Sequence, residues 1–173
     1  MPETASAPRH PDVFRPRPAT EDDIPLLLGL VRDLAIYENL LEHVKADETG
    51  FGKWLFRDKK AEAILGEVNG VAVGYALFYT TFSTFLGLPG LYLEDLFIRP
   101  ESRGKGYGTM LLREVARIMC ERGYGRLEWS CLDWNTPARE FYRSLGAERL
   151  EEWTTYRLTG TGADALAGRT GNG

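Results

Sequence analysis

Residues 91 to 119 carry the decisive pattern. They begin Leu91-Tyr-Leu-Glu94-Asp95-Leu-Phe-Ile98, pass through Arg99-Pro100-Glu-Ser102 to Arg103-Gly104-Lys105-Gly106-Tyr107-Gly108, and continue with Met110, Leu111, Val115, Ile118 and Met119 at helical spacing. The first run has strand length and composition, and Pro100 stops it. The glycines open a helix that Gly123 and Gly125 end. Residues 127–132 read as a strand again. The whole predicts a β-α-β unit with two parallel strands and a right-handed crossover.

Upstream, residues 13–17 read as a strand, and Thr20 with Asp23 as a capping box before a helix with Pro25 in its first turn. Ile24, Leu27, Leu28, Val31, Leu34 and Ala35 form the apolar face of that helix. A second helix is predicted over 48–57. Residues 61–68 and 71–82 are β-rich and are joined by Asn69-Gly70, a strong hairpin signal. A loop with Gly87, Pro89 and Gly90 leads to the strand at 91. Downstream, 137–145 predicts a short helix ended by Gly146, and 147–158 one or two strands. The order gives an α/β (α+β) domain over residues 13–159, with a mixed sheet of six to seven strands and helices on both faces. Residues 1–12 and 160–173 are small, polar and rich in Gly or Pro, and are expected to be flexible tails.

The chain has 173 residues, enough for one hydrophobic core, and a net charge of −4. That balance does not suggest nucleic-acid binding and is compatible with a cationic substrate. Cys120 and Cys131 are too few for a disulfide framework and read as buried structural cysteines. The histidines are His10, in a Pro-rich leader, and His43, read as a surface residue, so no histidine metal site is expected. No apolar run approaches the ~20 residues a membrane span needs, and no signal-peptide core precedes the domain, so the cytoplasm is the expected location.

Three stretches carry chemistry. Arg103 to Gly108 joins glycines, which let amides approach an anion, to a helix start and to the charges of Arg103 and Lys105; it suits a pyrophosphate, with a Gly-rich turn bearing solubilising charges as the lesser alternative. A Walker loop occurs nowhere. The third glycine is misplaced for a dinucleotide fingerprint, and Glu128 lies near the start of its strand rather than at the end. Glu94 and Asp95 are paired carboxylates in an apolar strand. Neighbours on a strand point to opposite faces, so the two cannot share a role unless a bulge re-aims one; one could be a base in a cleft, or both could form cross-strand salt bridges. The third stretch is Asp133 to Tyr142. Asn135 or Thr136 can cap its helix, with Pro137 in the first turn. Tyr142 could protonate a leaving group or simply pack beside Phe141. Trp134 and Phe141 read as core.

Taken together these residues resemble the GNAT N-acetyltransferase superfamily, whose [RQ]-x-x-G-x-[GA] signature is met by Arg103, Gly106 and Gly108. Arg15-Pro-x-Pro-Ala-Thr20, Tyr37-Glu38, Leu91 to Asp95 and Trp134-Asn-x-Pro-Ala138 with Phe141-Tyr142 are similar to the diamine acetyltransferases, which include spermidine/spermine and thialysine acetyltransferases. The resemblance implies acetyl-CoA as co-substrate, no metal, a splayed parallel strand pair and a homodimer acting on a small-molecule amine. It implies that Leu96, Phe97 and Ile98 lie along the pantetheine arm, that Arg103, Gly104, Lys105, Gly106, Tyr107 and Gly108 hold the pyrophosphate, and that Asn135 and Ala138 contact the cofactor. Tyr142 would be the general acid, Glu94 would polarise the amine through water, and Tyr37 and Glu38 would line the amine site. Direct attack in a ternary complex needs neither cysteine. Asn39, Leu40 and Leu41 stand where the polyamine enzymes carry acids, and Phe85 where a tryptophan is expected, so the amine itself stays open. Two other readings remain: a peptide or protein N-acetyltransferase of the same fold, and a non-catalytic CoA-binding module.

Overall fold

Asn69 and Gly70 adopt φ values of 52° and 82°, the left-handed pair that a tight two-residue hairpin requires. They join β2 (Glu62–Val68) to β3 (Val71–Ser83). β1 (Phe14–Pro18) pairs antiparallel with β2, and β4 (Leu88–Ile98) antiparallel with β3. β5 (Leu127–Trp129) runs parallel to β4, with Leu91 opposite Leu127, Tyr92 opposite Glu128 and Leu93 opposite Trp129. The strand order is β1-β2-β3-β4-β5, a mixed sheet with one parallel pair, as the β-α-β reading requires. The computed structural model describes residues 12–169. The chain divides into two compact units between Ser130 and Cys131. The expected N-terminal tail up to residue 11, His10 included, and residues 170–173 lie outside the described residues.

α1 (Ile24–Tyr37) follows a 3-10 turn at Glu21–Asp23 and has Pro25 in its first turn. The Asp23 carboxylate accepts from the Thr20 N–H (2.8 Å) and hydroxyl (2.9 Å). It also takes both guanidinium nitrogens of Arg17, at 2.7 and 2.8 Å, while Arg17 Nε donates to Glu67 at 2.7 Å. The Arg17 bond holds the Asp23 carboxyl well below the ordinary carboxylate range, against the opposing effect of burial. Leu27 and Leu30 of α1 pack with Ala63, Leu65, Tyr75, Leu77 and Phe97 on one face of the sheet. Leu30 lies outside the predicted apolar face, because the sheet reaches further round the helix than its periodicity shows. A second helical segment begins as α2 (Glu48–Phe51), capped by Asp47, and continues as a π-helical turn over Gly52–Arg57.

α3 (Tyr107–Glu121) covers the other face with Leu111, Leu112 and Val115 buried, so helices lie on both faces. Leu111 reaches across to Gly66, where an added Cβ would stand 3.4 Å from its Cδ1. Met110, expected on that face, is exposed.

Three expectations are corrected. β4 begins at Leu88, so Pro89 and Gly90 belong to the ladder, opposite Phe82 and Thr81. The space at Gly90 explains the glycine, since a Cβ would meet Arg126 Cγ at 2.9 Å and its carbonyl oxygen at 3.0 Å. Among the described residues the sheet has five strands rather than six to seven. Residues 148–158 are exposed throughout and join no ladder, so β-prone side chains such as Trp153 and Tyr156 there make no strand. Finally, the expected C-terminal tail holds α5 (Gly160–Leu166), none of whose residues is buried. In the second unit, α4 spans Thr136–Ser144, and Gly146 follows it at φ 84°.

Candidate active site

In the β3–β4 ladder Leu77 opposes Asp95 but Phe78 opposes Leu93. Glu94 is therefore the extra residue of a bulge, the device that the paired carboxylates called for. The bulge also changes which edge the backbone addresses. Before it, the Leu91 N–H bonds the Arg126 carbonyl at 2.9 Å, on the β5 side. After it, the Arg99 N–H bonds the Val73 carbonyl at 2.9 Å, on the β3 side. Alternate residues address the same edge, so Leu96 and Ile98 present their backbone groups to the β5 side. Pairing with β5 stops at Leu93 and Trp129. Beyond that point no strand among the described residues covers this edge of β4.

Asp95 shares the α1 face with Tyr75 and Phe97, through the register that sets Tyr75 opposite Phe97. The Tyr75 hydroxyl donates to Asp95 Oδ2 at 2.8 Å. Burial is the largest influence on Asp95; the Tyr75 bond works against it, and the charges of Glu94 and Glu38 add to it. The net effect pushes the carboxyl up to about 6. The Tyr75 phenol is driven far above its ordinary value, by burial first and then by Asp95. Glu38 caps the C-terminus of α1, its N–H bonding the Leu34 carbonyl at 3.0 Å, and burial raises its carboxyl as well. Glu94 itself is exposed.

The Arg103 guanidinium lies 4.3 Å over the Tyr37 ring and 5.7 Å from that of Phe97, and its Nε donates to the Ile98 carbonyl at 2.9 Å. The fold thus brings an expected phosphate-loop residue onto an expected amine-site residue. Gly104 and Gly106 adopt φ values of 75° and 81°, and no side chain caps α3. The first amides of that helix have no intrahelical acceptor and stand at its positive end, an arrangement that fits a pyrophosphate. Lys105 Nζ lies 3.2 Å from Asp12 Oδ2, to which the Tyr107 hydroxyl also donates. The Tyr107 ring is buried and stacks on Phe14 at 4.7 Å, so Tyr107 can serve a cofactor through its backbone. Phe97 is a core side chain whose backbone addresses β3 opposite Tyr75 rather than the open edge, so the structure offers neither its side chain nor its amide to a cofactor there. An apolar hollow of about 420 Å³ beside Pro18, Leu55, Phe56 and Ala63 contains none of these residues.

In the second unit, Asn135 is buried and caps α4, its Oδ1 accepting from the Ala138 N–H at 3.3 Å. Tyr142 is half-buried on α4, its ring 5.2 Å from that of Phe141. Trp134, expected in the core, is 54 % exposed, because it precedes the helix rather than lying on its inner side. Cys120 is exposed rather than buried, on the outer side of α3. His43 is at the surface. Sequence reasoning did not single out Tyr75; a hydroxyl-bearing ring in the otherwise apolar first half of β3, residues 71–78, was its only signal.

The chain matches the Acetyltransferase (GNAT) family over residues 30–147. It is 38% identical over 165 residues to a thialysine N-epsilon-acetyltransferase of Bos taurus, covering 88% of this chain and 96% of that one. It is 30% identical over 212 residues to an L-ornithine N5-acetyltransferase of Arabidopsis thaliana, covering 96% and 92%. Among solved structures, an integron cassette protein from the mobile metagenome of V. cholerae superimposes with a TM-score of 0.75 at 25% identity, covering 89% and 97%. The signature loop, the bulged strand and these likenesses converge: the chain belongs to the acetyltransferase (GNAT) family and is an acetyl-CoA-dependent N-acetyltransferase.

Proposed function

We propose that this enzyme acetylates the side-chain primary amine of a small cationic amino acid of the thialysine or ornithine type, by direct attack in a ternary complex. The bulge at Glu94 carries the reading. It sets two carboxylates where the edge of β4 opens, with Glu38 arriving from the end of α1. A group of acids suits a small cation, and the relatives named above act on diamino acids of that kind. By its resemblance to the diamine acetyltransferases, the enzyme is further taken as a cytoplasmic homodimer with residues 13–159 as its acetyltransferase domain.

Acetyl-CoA supplies a thioester-activated acetyl group. The amides from Gly104 to Gly108, with Arg103 and Lys105, hold its pyrophosphate, and the backbone groups of Leu96 and Ile98 receive its pantetheine arm. Asn135 and Ala138 add contacts from α4. A primary amine has a pKa near 10.4, so about one molecule in 10³ is nucleophilic at pH 7. Asp95, Glu38 and Tyr37 hold the ammonium, and Glu94 takes its proton through water. The Leu96 N–H favours the negative charge that grows on the carbonyl oxygen. Tyr142 gives a proton to the departing sulfur. Holding both partners in near-attack geometry can supply ~7–11 kcal/mol.

Thiol release from acetyl-CoA, measured against thialysine, L-ornithine, lysine, spermidine and a peptide N-terminus, tests the proposal. The expected result is the highest kcat/KM on thialysine or L-ornithine. Preference for the peptide would replace this reading with the protein-directed one, and no turnover of any amine would leave a binding module.

A further inference from the structure

We propose that Tyr75 is a positioning residue of the amine site: its hydroxyl, donated from inside the core to Asp95 Oδ2, aims the Asp95 carboxylate at the incoming ammonium. This rests on the amine-site reading above and adds a residue that does not itself meet the substrate.

Tyr75 is fully buried, its ring among the core side chains between α1 and the sheet and 6.5 Å from the ring of Phe97. A phenol placed there needs a partner for its O–H, or it carries the cost of an unpaired polar group. That partner is Asp95, reached diagonally across the ladder, since Tyr75 stands opposite Phe97, two residues further on. The location matters because the bulge follows at once. Asp95 is the last regularly paired residue of this half of β4, so regular pairing holds it on one side only. The hydroxyl supplies a fixed point on the other side. It occupies Oδ2, leaving Oδ1 as the oxygen for an ammonium.

The charged groups facing Asp95 are Glu38 from α1 and Glu94 from the bulge, both acidic. Burial and these two charges favour a protonated Asp95, and a protonated carboxyl is a poor acceptor for an ammonium. The Tyr75 bond is the contact that opposes them. Loss of the hydroxyl therefore pushes Asp95 further up and removes the ammonium-binding form from the weakly acidic range.

The test is steady-state kinetics of the full-length enzyme with thialysine and L-ornithine from acid to alkaline pH. It compares the wild type, Tyr75→Phe, Asp95→Asn and the double variant. Tyr75→Phe keeps the ring that packs the core. It is expected to raise KM for the amine about 10-fold, the size expected for a hydrogen bond to a charged group. The acid limb of kcat/KM for the amine should move to higher pH, with KM for acetyl-CoA unchanged. The double variant should be no worse than Asp95→Asn alone, because the two residues act in series. If Tyr75→Phe keeps the wild-type amine KM and acid limb while Asp95→Asn loses amine affinity, the proposal fails and the amine site stands. If Asp95→Asn is also silent, both fail. An equal loss for amine and acetyl-CoA, tracking a smaller folded fraction, would make Tyr75 a packing residue only.

Discussion

Glu94 and Asp95 are chain neighbours in unlike surroundings: one is exposed on the bulge, the other faces the core and is held by a phenol. That difference separates two tasks, taking a proton and holding a cation. Tyr142 has a third task. Tyr142→Phe should lower kcat roughly 10²–10⁴-fold, the usual size of a general-acid effect, while acetyl-CoA still binds. Unchanged turnover in rapid-quench or steady-state assays removes it from that role. Arg103 and Lys105 should also part company. Arg103 lies on Tyr37 and bonds the Ile98 carbonyl, whereas Lys105 meets Asp12 outside that group. Arg103→Ala should therefore raise KM for both substrates, and Lys105→Ala for acetyl-CoA alone. Equal profiles for the two variants would mean that Arg103 is simply a second phosphate contact.

Among the elements, the β4–α3 junction depends on two glycines for different reasons. Gly106 has φ 81° at the start of α3, a conformation that a β-branched residue resists. Gly106→Val should weaken acetyl-CoA binding in calorimetry far more than it lowers the melting temperature. Gly74 needs room instead: a Cβ there would run into the Phe97 carbonyl oxygen and lie 2.5 Å from Ile98 Cδ1. Gly74→Ala should cost ~1–3 kcal/mol in urea unfolding, as overpacking does. The β-α-β unit and the Asn69-Gly70 hairpin were legible because strand runs, helical spacing and Gly or Pro punctuation coincide there. The bulge was legible only as a condition, since nothing in Leu91-Tyr-Leu-Glu-Asp95 tells which residue is surplus until the β3 partners are known. Residues 147–158 misled because strand composition is local, whereas a strand needs a neighbour's amides. Tyr75 escaped notice because its importance lies in a contact with residue 95, and a buried aromatic on a strand otherwise reads as packing.

For the molecule as a whole, two carboxylates pull the pH dependence of stability in opposite directions. Asp23 is held low by Arg17, so it stabilises above its unfolded value near 3.9, and that contribution is lost on acidification. Asp95, raised to about 6, does the reverse. Its contribution is full below the unfolded value and is lost as pH climbs through 6. Asp95→Asn should therefore gain in melting temperature relative to the wild type as pH is raised across that window, and the gain should vanish in acid. A difference independent of pH would mean that Asp95 ionises normally. The bulge has a last consequence for how this chain can vary. On either side of residue 94 the strand is out of step, with Leu91 and Leu93 turned toward one helix and Phe97 toward the other. Excising that single codon would leave Leu93 opposite Phe78 and Asp95 opposite Leu77 in an unbroken ladder, with every buried ring on the face it has now. A one-residue deletion here would therefore straighten the strand and spare the architecture, and what it would take away is the exposed carboxylate.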